Sequence, residues 1–323
     1  MRICVFGAGA VGSHFAVRLA NAGHDVSCVI RGAHLNAVRE KGLTLKAAGE
    51  SFAAKVRASD NPAELGPQDV VISTLKANAL ASLADGLKPL LNNDTAIVFA
   101  QNGIPWWYNI GLPADHPSTP SLDFLDPGGR LGALLPKDRI IGGVIFSSNE
   151  LVEPGVVNND SPERNMLIVG ECDDRHSERI QKLRGVLDGA RIESPPTDRI
   201  RESIWTKLIS NMTLSILCLA TGQGVRDSVL DPAIKDLMPR LRAEGQAVAQ
   251  TCYPTVVPRA SSGPPVNHKP SILQDFERGR PMEIDALVRA PQAFARNAGV
   301  ATPMIDLLAG LVIKKARERG LYD

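Results

Sequence analysis

Over roughly the first 190 residues, short runs of consecutive apolar residues alternate with stretches whose apolar residues recur three and four apart. The run at Arg2–Phe6 predicts a strand buried on both faces. Val11, Phe15, Leu19 and Ala22 then fall on one face of a helix that Gly23 ends, and residues 25–30 predict a second strand. A helix over 34–41 follows. The runs LTLKA and FAAKVRAS, flanking Ala48, Gly49 and Glu50, predict a hairpin or a pair of strands. Residues 69–75 and 95–100 predict two more buried strands, with a helix between them that ends near Leu90. RIIGGVIFSS, GVVNND and MLIVGE predict the strands that complete the sheet, and 174–190 predicts an amphipathic helix with Ile180, Leu183 and Leu187 inward.

The rhythm changes twice. From 104 to 137 it breaks: IPWWYNIGL is followed by many Pro, Asp and Gly residues. A loop of this length is usually functional or mobile. A lid over a substrate and an aromatic patch that packs locally or at a subunit contact are both open readings for Trp106, Trp107 and Tyr108. After Pro195, Pro196 and Thr197 strand signals vanish and helical periods dominate, as at Ile234, Leu237, Met238 and Leu241 within 233–252. Residues 253–270 are rich in Pro and Ser and predict a loop; helices resume near Ser271. The expectation is an α/β protein of two domains, a Rossmann-type dinucleotide-binding domain over 1–196 and an all-α domain over 197–323.

Bulk properties narrow the function. The 323 residues suit two domains and, at 44% hydrophobic, can fill ordinary cores. A net charge of +1 gives no support for binding nucleic acid or an anionic membrane. No apolar run is expected to approach the length of a membrane span, and no signal peptide is expected before the first strand. Five scattered cysteines suggest reduced thiols in a cytoplasmic protein, and the six histidines show no metal-ligand spacing.

The chemistry begins at GAGAVG, residues 7–12, where strand gives way to helix. This is a dinucleotide-binding fingerprint in its required context. Gly7 permits the tight turn, Gly9 lets backbone approach a pyrophosphate, and Gly12 lets helix and strand pack closely. Ala8, Ala10 and Val11 complete the loop, and the helix N-terminus offers free N–H groups to the phosphates. A free ribose 2′-OH is usually met by Asp or Glu at the end of the second strand, and a 2′-phosphate by Arg. Arg31 stands there, so NADPH/NADP+ is expected over NAD(H). Ligands of open α/β sheets sit beyond the carboxyl ends of the strands. Gly7, Arg31, Lys76 and Asn102 share that address.

In the second half, residues 204–222 form a largely apolar helical run in which Lys207, Asn211 and Ser215 recur every four residues as one polar stripe. A buried stripe needs partners, which the carbonyl and carboxylate oxygens of a keto acid can supply. A partly desolvated ammonium has a lowered pKa and can donate a proton near neutrality. The stripe reads equally well as a solvent-facing one, or as a lysine snorkelling from the core. Ser271 with Gln274 fits a capping box, and Glu283 and Asp285 fit charges near a helix start.

In combination, GAGAVG, Arg31, STLKA with Lys76, QNG with Asn102, WTKLISN with Lys207 and Asn211, and SILQD through EID with Ser271 and Glu283 resemble the ketopantoate reductases (2-dehydropantoate 2-reductases). The resemblance covers nearly the whole chain. It implies an N-terminal NADPH-binding domain, a helical C-terminal domain and an active site in the cleft between them. It implies reduction of 2-dehydropantoate to pantoate, as in pantothenate biosynthesis. Arg31 and Lys76 would hold the 2′-phosphate, and Asn102 would lie near nicotinamide ribose and substrate. Lys207 matches the catalytic lysine, Asn211 and Ser271 match substrate-binding positions, and Glu283 matches the acidic residue that works with cofactor and lysine. Many relatives of this type associate as dimers through the helical domain, so the resemblance also suggests a homodimer. Three features depart from the pattern: Ser215 stands where a second Asn is typical, a further Asn expected near Gly222 to Val225 has no counterpart, and the loop after QNG is long and carries WWY. They leave room for another 2-oxo, amino or sugar acid. A non-catalytic NADP(H) sensor is the competing class, against which the polar stripe argues.

Overall fold

The computed structural model describes residues 1–258 and 267–323 as two compact units. The first comprises 1–101 and 126–200, and the second comprises 102–125 and 201–323.

The first unit is built on a seven-stranded sheet. Its strands are β1 (Arg2–Phe6), β2 (Asp25–Val29), β5 (Arg57–Ser59), β6 (Val70–Ser73), β7 (Ala96–Ala100), β8 (Ile140–Phe146) and β11 (Met166–Glu171), in the order β11-β8-β7-β6-β1-β2-β5. All pairs are parallel except β8 with β11. β6, β7 and β8 are buried along their whole length, which is why they read as unbroken apolar runs. A second sheet has the order β4-β3-β10-β9, from β3 (Leu43–Ala47), β4 (Glu50–Ala54), β9 (Asn149–Glu153) and β10 (Val156–Asn159).

Two expectations change here. The run FAAKVRAS is not one strand: β4 pairs with β3 in the second sheet, and β5 crosses to pair with β2. GVVNND does not complete the first sheet but lies in the second, beside β9. Alternation of side chains gives a strand's faces but not its partners, so neither pairing could be read locally.

α1 (Ala10–Asn21) packs against strands of both sheets. That explains why His14, Ala16 and Val17 are buried as well as Phe15 and Leu19, whereas the expected single apolar face would bury fewer. Ala22, expected inward, is the exposed C-cap. α2 (Gly32–Lys41), α3 (Leu80–Leu87), α4 (Arg130–Leu134) and α5 (Glu178–Gly189) complete the unit. Ser177 caps α5, its Oγ accepting from the Ile180 N–H at 3.2 Å.

The second unit is helical: α6 (Ile200–Ser210, continuing from the first unit), a π-helical turn Asn211–Ser215, α7 (Ile216–Thr221), α8 (Val225–Leu230), α9 (Leu237–Cys252), α10 (Ser271–Glu277), a second π-helical turn Asp285–Arg289, α11 (Ala290–Asn297) and α12 (Pro303–Glu318). The chain leaves the sheet unit at Ile200, four residues after the expected boundary at 196. The cause is local: the Ile200 N–H donates to Asp174 Oδ1 at 3.0 Å, and Gly170 packs on Thr197 and Ile200. Of the loop expected over 253–270, residues 259–266 lie outside the described residues.

Residues 102–125 also belong to the helical unit, not to the first domain. Trp107 and Tyr108 are fully buried there. The Tyr108 hydroxyl accepts from Trp205 Nε1 at 2.7 Å, and its ring packs edge-on to Trp205 and Phe294. Arg201, also fully buried, donates to the carbonyls of Tyr108 and Ile110 at 2.9 and 2.7 Å and lies over the rings of Trp107 and Tyr108. The aromatic run is therefore a local packing hub for α6 and not a lid.

The helical stretch Ile200–Thr221 is long and apolar enough by composition to cross a membrane, contrary to expectation. Most of its apolar side chains, among them Trp205, Ile209, Met212 and Leu217, are buried within the protein, and Leu214 is half-buried.

Candidate active site

In the sheet unit the glycine loop is built as a backbone cradle. Gly7 has φ +87°, and its N–H donates to the Val29 carbonyl at 3.0 Å. A Cβ on Gly7 would sit 2.5 Å from the Leu75 side chain, and one on Gly12 would sit 2.5 Å from Thr74 Oγ1 and 3.0 Å from Val5. Thr74 Oγ1 donates to the Gly7 carbonyl at 2.8 Å. Thr74 and Leu75, beyond β6, thus brace the loop from behind, a contact the spacing of glycines could not reveal. Gly9 is different: it is exposed, and an added Cβ would meet nothing nearer than the Gly7 carbonyl at 3.9 Å. One side of the loop is closed by packing, and the other is open to an approaching phosphate.

The Ser13 N–H donates to the Gly9 carbonyl at 2.8 Å, starting the α1 ladder. The N–H groups of Ala10, Val11 and Gly12 lie in the first turn, where a helix has no acceptors of its own to offer them. They and the positive end of α1 suit a pyrophosphate. Arg31, exposed, is the N-cap of α2 directly after β2. Lys76 lies just past β6 and is half-buried. Both stand beyond carboxyl ends of parallel strands, as does Gly7. The donor set fits a dinucleotide with an extra phosphate: backbone N–H groups for the pyrophosphate and two cations for the remainder.

In the helical unit, three pieces of chain far apart in sequence converge. The Lys207 ammonium donates to Asn102 Oδ1 at 2.6 Å. Gly103, at φ +80°, lies so close to Ala286 that a Cβ would be 2.5 Å from its carbonyl oxygen. The Ile104 N–H donates to that same carbonyl at 2.9 Å. Asn102 and Gly103 are therefore clamped between the lysine of α6 and the helical start that carries Glu283. Glu283 is buried, at 6% exposure, and its carbonyl accepts from the Leu287 N–H. Its neighbour Asp285 is committed elsewhere, accepting from Arg289 at 3.0 Å and from the Tyr322 hydroxyl at 2.6 Å.

The stripe Lys207, Asn211 and Ser215 is half-buried at all three positions, so it is neither a solvated face nor a core face. The π-helical turn alters its geometry. An α-helix drifts by about 40° every four residues, because four exceeds 3.6. A turn closed i to i+5 holds more residues, so the stripe does not continue that drift from Asn211 to Ser215. Thr213, fully buried, donates its hydroxyl to the Ile209 carbonyl at 2.6 Å within this turn. α9 approaches closely through Gly245, where a Cβ would be 3.2 Å from the Thr213 methyl.

Ser271 departs from expectation. It is not the N-cap of α10 but its first residue, and it is exposed. Pro270 is the cap: its carbonyl accepts from the N–H groups of Leu273 and Gln274, both at 3.0 Å, while the Gln274 side chain donates to the Lys269 carbonyl at 2.9 Å. The capping box therefore does not form. α10 packs against α7 and the first π-helical turn, so Ser271 sits on a helix adjoining the stripe, at an exposed position. Asn102, placed with the strand ends by its sequence position, is the first residue of the helical unit and holds the lysine.

Comparison with known proteins agrees with both halves. Residues 3–113 match the family model described as Ketopantoate reductase PanE/ApbA, and residues 199–316 match the model of its C-terminal part. Over its full length the chain is 40% identical to the whole of a 2-dehydropantoate 2-reductase from Mesorhizobium japonicum. A provisionally named ketopantoate reductase from Ralstonia solanacearum superposes with a TM-score of 0.88 at 34% identity, covering 99% of both chains. A D-mandelate dehydrogenase solved with NADH and anilino(oxo)acetate superposes at 0.81 over 99% of this chain and 100% of its own. At 22% identity it shows the shared fold alone.

Proposed function

The chain is a member of the ketopantoate reductase family, and we propose that it reduces 2-dehydropantoate to pantoate with NADPH. The observation that carries this reading is the 2.6 Å contact between Lys207 and Asn102, clamped to the Glu283 helix start through Gly103 and Ala286. A protein that only sensed NADP(H) would not require a half-buried lysine fixed in this way.

NADPH supplies the hydride, and the chain's own residues do the rest. Gly7 through Gly12 take the pyrophosphate, and Arg31 and Lys76 take the 2′-phosphate. An ammonium has three donors. One of them goes to Asn102, which aims the group for a substrate carbonyl. As that oxygen gains negative charge, Lys207 stabilises it and then protonates it. Asn211, Ser215 and Ser271 hold the acid by hydrogen bonds, with Ser271 turning in from its exposed position. Glu283 orients Lys207 or holds a ribose hydroxyl.

Ser215, half-buried at the end of the stripe where a second Asn is typical of the family, supports a second reading: the same reaction on a different 2-oxo acid. A homodimer is part of the proposal, with Leu307 and Leu311, 66% and 52% exposed and one turn apart on α12, as its contact. The five cysteines, all free thiols and all buried, support a reducing cytoplasmic setting. The test is NADPH consumption with 2-dehydropantoate beside a panel of branched and aromatic 2-oxo acids. Turnover with 2-dehydropantoate at least about tenfold above the panel in kcat/KM, roughly 1.4 kcal/mol, is expected. Preference for another acid would move the substrate assignment and keep the chemistry; absence of turnover with all of them would end it.

A further inference from the structure

His34 has no part in the site described above, yet it is bonded to it. It lies on the first turn of α2, three residues past Arg31. Its Nδ1 accepts from the Gly155 N–H at 2.9 Å. A backbone N–H can only donate, so Nδ1 is unprotonated and the neutral ring carries its proton on Nε2. Nε2 then donates to the Ala8 carbonyl at 2.9 Å. Ser13 Oγ donates to the same carbonyl at 2.9 Å.

The Ala8–Gly9 peptide is thereby tied at both ends. Its N–H goes to the Gly7 carbonyl at 2.6 Å, and its C=O goes to His34 and Ser13. Packing anchors this plane only on the Ala8 side, where the methyl is fully buried in the core; Gly9 has no side chain and nearly open space where one would be. Hydrogen bonds hold the Gly9 side. Rotated outward, the Ala8 carbonyl would direct its negative end at a bound phosphate, where inward it leaves that ground to N–H groups. The other end of the latch is firm. Gly155 forms the turn between β9 and β10 at φ +85°, its carbonyl accepts from the Thr44 N–H at 2.8 Å, and an added Cβ would rest 3.5 Å from Ala37.

We propose that His34 is a positioning residue that locks the phosphate loop, carrying the rigidity of the β9–β10 turn through its imidazole to the Ala8 carbonyl and so setting the affinity for NADPH. The inference rests on the loop being the NADPH phosphate site. Desolvation, holding the His34 pKa below its ordinary value, keeps the ring in the neutral form this bonding needs.

Two substitutions separate the two ring nitrogens. In His34→Gln the side-chain amide nitrogen reaches the place of Nε2 and can still donate to Ala8. In His34→Asn the amide oxygen takes the place of Nδ1, still accepting from Gly155, and Ala8 loses the ring donor while keeping Ser13 Oγ. The measurements are NADPH dissociation constants from fluorescence titration, kcat at saturating NADPH, and melting temperature. Wild type is expected to bind NADPH, His34→Gln to bind within about threefold of it, and His34→Asn to bind about tenfold more weakly, one net hydrogen bond. In both variants kcat at saturation should stay within about twofold, since the latch touches no reacting atom. The inference is overturned if His34→Asn binds as tightly as wild type, or if both variants lose affinity equally in step with a lowered melting temperature. Wild type failing to bind NADPH would instead remove the cofactor reading beneath it.

Discussion

The glycine loop and the lysine site are built in opposite ways. The loop comes from one stretch of chain, Arg2 to Arg31, and presents mostly backbone. Its specificity lies in what side chains must not do: a Cβ on Gly7 or Gly12 would strike Leu75 or Thr74. The lysine site is drawn from residues 102–103, 207 and 283–286, and presents side chains whose positions depend on one another. Binding a phosphate needs many weak, fixed dipoles, which a single strand–turn–helix supplies. Protonating a developing alkoxide needs one strong donor held in place, which takes several elements. Damage to the first should appear in cofactor affinity, and damage to the second in turnover.

Lys207→Ala tests that division with the largest expected effect. On the proposed role of Lys207 as general acid and oxyanion stabiliser, its loss should lower kcat by about 10²–10⁴. NADPH affinity, measured by titration, should stay unchanged; a parallel loss of affinity would merge the two regions into one. Within the sheet unit an effect of a different kind is expected from His14. It is fully buried on α1, and its pKa is pushed down to about 4, first by desolvation and then by Arg18. The unfolded chain protonates this group near pH 6.5 and the folded one does not. The associated stability is thus complete above pH 6.5 and is lost as pH falls toward 4, by about 3 kcal/mol in all. Urea unfolding midpoints across that range should decline, and His14→Gln should flatten the decline. An unchanged slope would show that other groups control it.

Arg31→Ala should be milder and narrower. Removing a cation from a phosphate costs about 1.5–3 kcal/mol, so KM for NADPH should rise about 10- to 100-fold while KM for NADH stays put. Equal effects on both cofactors would place Arg31 away from the 2′-phosphate. Smallest is the tenfold effect expected of His34→Asn on NADPH affinity, which probes whether the loop's backbone needs support from the second sheet.

Legibility in the sequence follows the same contrast. β1, α1 and β2 were readable because local spacing decides them: consecutive apolar residues, then a helical period, with glycines between. The stripe at Lys207 was visible, but its meaning was undecided, since periodicity cannot say what a helix faces. WWY read equally well as lid or packing, and only the bonds to Arg201 and Trp205 decide for packing. Ser271 fitted a capping box that never forms, because Pro270 is the cap and Ser271 is already the first helical residue.

What the sequence alone determined is the nucleotide half: a strand, a glycine turn, a helix and an arginine at the second strand's end, each a matter of neighbours in the chain. Only the tertiary structure decided the partner strands of 50–54 and 156–159, the transfer of 102–125 to the helical unit and the meeting of Lys207 with Asn102. The reason is that backbone conformation answers to residues a few positions away. A contact across 105 residues is fixed by which surfaces bury the most apolar area together, and that is a property of the whole chain.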